Sequence, residues 1–187
     1  MITRPEAIEL LNSWVESASL RRHCLTLELV MRAAASRYGE PDTDTERWGM
    51  AGLLHDADWD KWPEEHPHRI VEHLRALDEP EIAQAIACHG SVFGIAPQSR
   101  MDKALYACDE MTGLIVACAL MRPDGVLSLT PASVLKKMKD RKFAAGVDRE
   151  EVAHSVELLE ADMREHIAFI IEALRPKAAE LAIAGNN

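Results

Sequence analysis

Four ionisable side chains, His23, His55, Asp56 and Asp109, have the types and spacing that metal chemistry asks for. His55 and Asp56 stand side by side where the apolar run Leu53-Leu54 ends, and the acidic, tryptophan-containing segment Asp58-Trp59-Asp60-Lys61 follows almost at once. A charge at the mouth of an apolar core is costly unless it is paired or bound to a metal. Two imidazoles and two carboxylates without a thiolate make a hard-to-borderline donor set, suited to Mn, Fe, Co, Ni or Zn, with Mg also admissible. One divalent ion would offset the repulsion of holding Asp56 and Asp109 close together. Taken singly, each of the four also reads as a hydrogen-bonded core residue or a helix-end residue.

The elements that must position these groups are helical almost throughout. Thr3-Arg4-Pro5-Glu6 has the form of a capping box with proline in the first turn. A second helix is predicted from about Leu20 to Tyr38, stopped by Gly39 and Pro41. His23 lies one turn before Leu27 on its apolar stripe and therefore points inward. Thr43-Asp44-Thr45-Glu46 reads as another capping box, opening a helix that carries Trp48, Ala51 and His55 on one face. Residues 58–65 read as a loop, Pro67 as an early helical residue, and Pro80 as the start of a helix whose stripe ends in His89-Gly90. A loop over 91–98 leads to a long helix from the capping box Ser99-Arg100-Met101-Asp102 to about Met121, with Asp109 on its inward side. Pro131 opens a short helix, Asp148 caps a further one, and the last is predicted over about 162–184. His154 and His166 fall in charged late helices and read as surface residues. No stretch alternates with the period of a strand. The expectation is a single all-α domain over 1–187, of about eight or nine helices, with the core signature at about 20–120 and the helices of 131–184 completing the bundle.

The order of these residues, a His, a His-Asp pair some thirty residues later and an Asp on a later helix, resembles the HD superfamily of metal-dependent phosphohydrolases. The resemblance runs over about residues 20 to 120. It extends to a subgroup of small bacterial HD proteins through the segments His55-to-Pro67, Ala107-to-Gly113 and Lys136-to-Asp148. It implies that His23, His55, Asp56 and Asp109 hold a divalent metal whose bound water attacks phosphorus. Some HD proteins add two His between the pair and the last Asp. His66, in Glu65-His66-Pro67, and His89, in Ala87-Cys88-His89-Gly90, occupy such positions and imply a second metal. Read without the family, His66 is a helix-start residue and His89 a helix-end cation favoured by the dipole. His68 and His73 are nearby rivals.

The chain departs from the family in places. Gly-Lys does not follow the His-Asp-apolar triplet, and the Gly-Tyr-Pro motif of cyclic-dinucleotide enzymes does not follow His89, so that activity is not supported. Trp59 stands where the deoxynucleotide monophosphatases carry a Glu. Asp58 or Asp60 is then the candidate general acid, provided burial raises its pKa, and Lys61 the nearest cation for a phosphate. The alternative is an exposed acidic loop that merely caps the next helix.

Composition narrows the function classes. A formal net charge of −10 argues against a general nucleic-acid coat. The basic island Lys136-Lys137-Met138-Lys139-Asp140-Arg141-Lys142 is either a solvated helix face or an anion site. No apolar run reaches the length of a membrane span, and Met1-Ile2-Thr3-Arg4-Pro5-Glu6 lacks a signal-peptide pattern. Cys24, Cys88, Cys108 and Cys118 show no Cys-x-x-Cys spacing and read as core residues, so a cytoplasmic home is expected. The leading expectation is a phosphohydrolase acting on a small phosphate ester, a nucleotide among the candidates, with Lys61, Lys103 or the basic island meeting the phosphate. The alternatives are a mixed-valent di-iron oxygenase and a non-catalytic nucleotide- or metal-binding regulatory domain. The apolar last helix either closes the core or forms a homodimer face.

Overall fold

Capping chemistry sets most of the helix boundaries. The computed structural model describes residues 2–90 and 93–185, so residues 91 and 92 of the expected 91–98 loop lie outside the described residues. Among the described residues there are nine α-helices and no strand, in keeping with the all-α expectation. None of these helices is long and apolar enough to cross a membrane. The chain divides into two compact units, Met1–Tyr106 and Ala107–Asn187.

In the first unit, α1 (Arg4–Trp14) begins at the Thr3–Glu6 capping box. Helix α2 (Ala18–Tyr38) is capped by Ser17 and stops at Gly39. Helix α3 (Thr45–Leu54) starts differently from the sequence expectation: the cap is Asp44, which accepts the N–H groups of Glu46 and Arg47. Glu46 is unavailable for a reciprocal box because Arg32 takes both of its oxygens. Helix α2 packs most extensively against α3. Two glycines permit this. A Cβ on Gly52 would lie 2.6 Å from the Leu27 carbonyl oxygen, and one on Gly49 would lie 2.8 Å from the Arg32 side chain. Leu27, Met31, Leu53 and Leu54 are fully buried at this level of the fold. Each such side chain is worth roughly 1.5–3 kcal/mol when removed from water.

After α3 the chain turns through residues 55–62 and a short 3-10 helix at Pro63–Glu65. The His66–Pro67 peptide is cis. Helices α4 (His68–Ala76) and α5 (Pro80–Ala87) then pack on each other, and α5 also packs on α3. Helix α6 (Arg100–Leu120) opens with the reciprocal Ser99–Asp102 bonds of a capping box.

In the second unit, α7 (Pro131–Met138) and α8 (Arg149–Leu158) both pack on α9 (Met163–Leu174). Asp148 caps α8 as expected. The last helix ends ten residues before the predicted 184, because Pro176 cannot continue an α-helix, and a 3-10 turn at Arg175–Lys177 replaces it. His166 is a second correction. It is fully buried on α9 rather than at the surface, hydrogen-bonded through Nε2 to the Ala107 carbonyl at 3.1 Å. Burial pushes its pKa down to about 4. His154 is exposed, in line with the sequence reading. All four cysteines are buried thiols. Burial pushes the Cys88 thiol up to about 12, with Asp102 adding to the effect.

Candidate metal centre

Three helix ends of the first unit deliver the cluster. His23 sits in the first turns of α2 and remains partly exposed, whereas His55 is the residue at which α3 ends and is fully buried. The close α2–α3 packing sets their Nε2 atoms 3.1 Å apart. Asp56 follows directly and reaches both rings through Oδ2, at 3.2 Å from His55 Nε2 and 3.9 Å from His23 Nε2. Its other oxygen, Oδ1, lies 3.4 Å from His66 Nε2 and 3.7 Å from His89 Nε2. One carboxylate thus joins two groups of three, His23-His55-Asp56 and Asp56-His66-His89, each compact enough to hold a metal ion.

The far sides of the rings define which nitrogen carries hydrogen. His55 Nδ1 lies 2.9 Å from the Gly52 carbonyl, and His89 Nδ1 lies 2.5 Å from that of Ile86. A carbonyl only accepts, so in each ring Nδ1 is the N–H and Nε2 of the neutral imidazole presents a lone pair. His66 Nδ1 is 2.6 Å from Asp58 Oδ1, with the same consequence. The Nε2 atoms of His66 and His89 face each other across 3.3 Å. With the rings neutral, they and Asp56 Oδ1 bring three acceptors to one point, an arrangement that could hold a cation. The donor set of imidazole and carboxylate fits a divalent transition metal, and the backing of each ring by an acceptor is the usual support of a metal-bound histidine.

Electrostatics agree. Burial opposes ionisation of Asp56, but positive charge on the neighbouring His55 and His89 rings outweighs it and holds the carboxyl well below the ordinary value, a part that a cation at Nε2 would take where the rings are neutral. Aromatic rings line the second group. The Trp59 ring stands edge-on to His66 at 4.9 Å, and Phe93 lies 5.4 Å from His66 and 5.0 Å from His89. Trp59 nonetheless keeps 49% of its surface exposed.

Within the acidic segment Asp60 and Lys61 are exposed, whereas Asp58 is not. Asp58 is fully buried, and its Oδ2 accepts the Ile70 N–H at 3.0 Å. Both oxygens therefore have protein partners. Asp60 Oδ2 accepts the backbone N–H groups of Glu16 and Ser17, at 2.9 and 2.7 Å, and so ties the α1–α2 junction. Exposed Lys61 lies over the Trp62 ring at 4.7 Å. Neither contact is with the histidine cluster. Asp109 falls in the second unit, half-buried on α6, where its charge adds to the burial that raises the Cys108 thiol. In the basic island, also in the second unit, Lys137 covers Phe143 at 4.6 Å and Arg141 stands 3.8 Å from Glu150.

The sequence offered Asp58 or Asp60 as a general acid; the structure sets Asp58 behind His66 and Asp60 at the α1–α2 junction. A signal for His55 and His89 was available, since both follow the last residues of an apolar helix and bond a carbonyl three residues back. Nothing local marked Asp58, whose partners stand eight and twelve residues away across a turn.

A family model described as HD domain matches residues 20–114, slightly more than half of the chain. The chain belongs to this family, whose members are generally metal-dependent hydrolases. No curated protein and no solved structure gives a significant match.

Proposed function

We propose that this HD-domain chain is a phosphohydrolase that binds two divalent cations on either side of Asp56 and cleaves a small phosphate ester. The observation that carries the proposal is the convergence of His66 Nε2, His89 Nε2 and Asp56 Oδ1, three acceptors within 3.7 Å of one another. His23, His55 and Asp56 Oδ2 would hold the first ion, and His66, His89 and Asp56 Oδ1 the second. Asp109 is proposed as a further ligand on its place in the family's order alone. A bound divalent metal lowers the pKa of a water and polarises a phosphoryl oxygen. The chain's own contribution is to hold Asp56 ionised, to fix the three rings in the Nδ1–H tautomer, and to keep His66 and His89 dry behind Phe93. Trp59, beside His66, is about half exposed as a residue, and an exposed indole is suited to stacking with a nucleobase, which favours a nucleotide among the phosphate esters.

The test is phosphate release from a panel of mono- and diesters by Mn2+-loaded protein, with Asp56→Ala as the control. Turnover in the parent and none in the variant supports the proposal. No release from any ester by protein shown to contain metal overturns it. The shared Asp56 also suits a di-iron oxygenase, and that second reading predicts iron at both positions and oxygen uptake with an organic substrate.

A further inference from the structure

We propose that Asp58 is the positioning residue of the second metal position, holding His66 in its ligating tautomer while anchoring the helix behind it. This inference rests on the metal-binding reading of the cluster. The carboxylate is fully buried, and each oxygen has one partner: Oδ1 the His66 Nδ1–H at 2.6 Å, Oδ2 the Ile70 N–H at 3.0 Å. Ile70 belongs to the first turn of α4, whose cap position is Pro67, a residue with no side-chain cap to offer. Asp58 supplies that missing acceptor at the positive end of the helix. It also fixes the preceding turn, since its carbonyl accepts the Trp62 N–H at 2.8 Å. One side chain therefore joins the turn after the His-Asp pair to the helix that follows His66.

The consequence for the metal is directional. A carboxylate behind His66 makes its Nε2 a stronger donor than the neutral carbonyls of Gly52 and Ile86 make those of His55 and His89. A carboxylate can satisfy both N–H groups, whereas an amide cannot. In Asp58→Asn a single carbonyl oxygen must choose between His66 and Ile70. If it keeps Ile70, the amide N–H₂ faces His66 Nδ1 and drives the ring to the Nε2–H form, which offers the cluster no lone pair at Nε2. If it keeps His66, the N–H₂ meets the Ile70 N–H and the first turn of α4 loses its acceptor. Either choice weakens the second position and leaves His23 and His55 untouched.

The experiment combines Co2+ titration of the parent and Asp58→Asn with 15N spectra of the metal-free histidines at pH 8. The parent is expected to take two Co2+ per chain and to show His66 as Nδ1–H. The variant is expected to bind the second ion about 10–100-fold more weakly, with the first unchanged. Its His66 signal should shift towards Nε2–H. Two ions bound with parental affinity by Asp58→Asn overturn the proposal, as does an Nε2–H signal for His66 in the parent. The latter measurement decides the matter even where the variant fails to fold. A parent that binds no Co2+ while His66 is Nδ1–H refutes the metal reading and leaves the Asp58–His66 pairing standing.

Discussion

Replacing Gly52 by alanine tests whether the closeness of α2 and α3 assembles the cluster. The new Cβ would stand 2.6 Å from the Leu27 carbonyl oxygen, 2.8 Å from its carbonyl carbon and 2.9 Å from Met31 Cγ. The methionine can rotate away, but the backbone of α2 cannot yield without moving the helix. Overpacking of this kind costs about 1–3 kcal/mol. Alanine also improves helix propensity by about 1 kcal/mol over glycine, which partly masks the cost. Gly113→Ala supplies the reference, because Gly113 lies inside α6 and a Cβ there meets nothing within 4 Å. The propensity gain is common to both variants, so their difference isolates the clash, about 1–3 kcal/mol. At about 2–4 °C per kcal/mol for a chain of this size, Gly52→Ala should melt roughly 2–12 °C below Gly113→Ala. The assay is thermal unfolding of both metal-free variants, followed by Co2+ titration. Displacement of α2 would widen the 3.1 Å gap between His23 and His55, so the first ion should bind more weakly in Gly52→Ala. Melting temperatures equal to within about 1 °C would refute the reasoning.

Three further outcomes follow from the same geometry. His166 is held neutral by burial, with its pKa pushed down to about 4 from an ordinary 6.5. Its contribution to stability is complete above pH 6.5 and is lost as pH falls towards 4, because the unfolded chain takes up the proton first. The loss is about 2 kcal/mol at pH 5, and His166→Gln should reduce the difference between urea midpoints at pH 7.5 and 5, whereas an unchanged difference counts against the assignment. Asp60→Ala removes the acceptor of the Glu16 and Ser17 N–H groups and should cost about 1 kcal/mol while leaving metal content and turnover unchanged. A loss of turnover with metal intact would return Asp60 to the chemistry. Elemental analysis should find two metals in the parent, one in His66→Ala and fewer still in Asp56→Ala, since Asp56 faces both groups. Equal metal content in the parent and Asp56→Ala would remove Asp56 from the centre.

The local features were legible because their causes are local. Thr3, Ser99 and Asp148 cap helices through bonds that span two or three residues, so the chain around each contains both partners. The order His23, His55-Asp56, His66 and His89 was likewise visible, as was the inward stripe carrying His23, and the first unit brings these five together. The local pattern misled where a distant group competed. Arg32 draws Glu46 away from a capping box. It misled again at His166, whose charged neighbours suggested the surface although its own face of α9 is buried. By itself the sequence determined the helices, the donor types and their order, since periodicity, caps and residue chemistry act over a few positions. Only the tertiary structure decided that Asp56 turns one oxygen to each histidine pair and that Asp58 lies buried behind His66. Those facts depend on how closely α3 approaches α2 and α5, and that distance is set by packing between residues far apart in the chain.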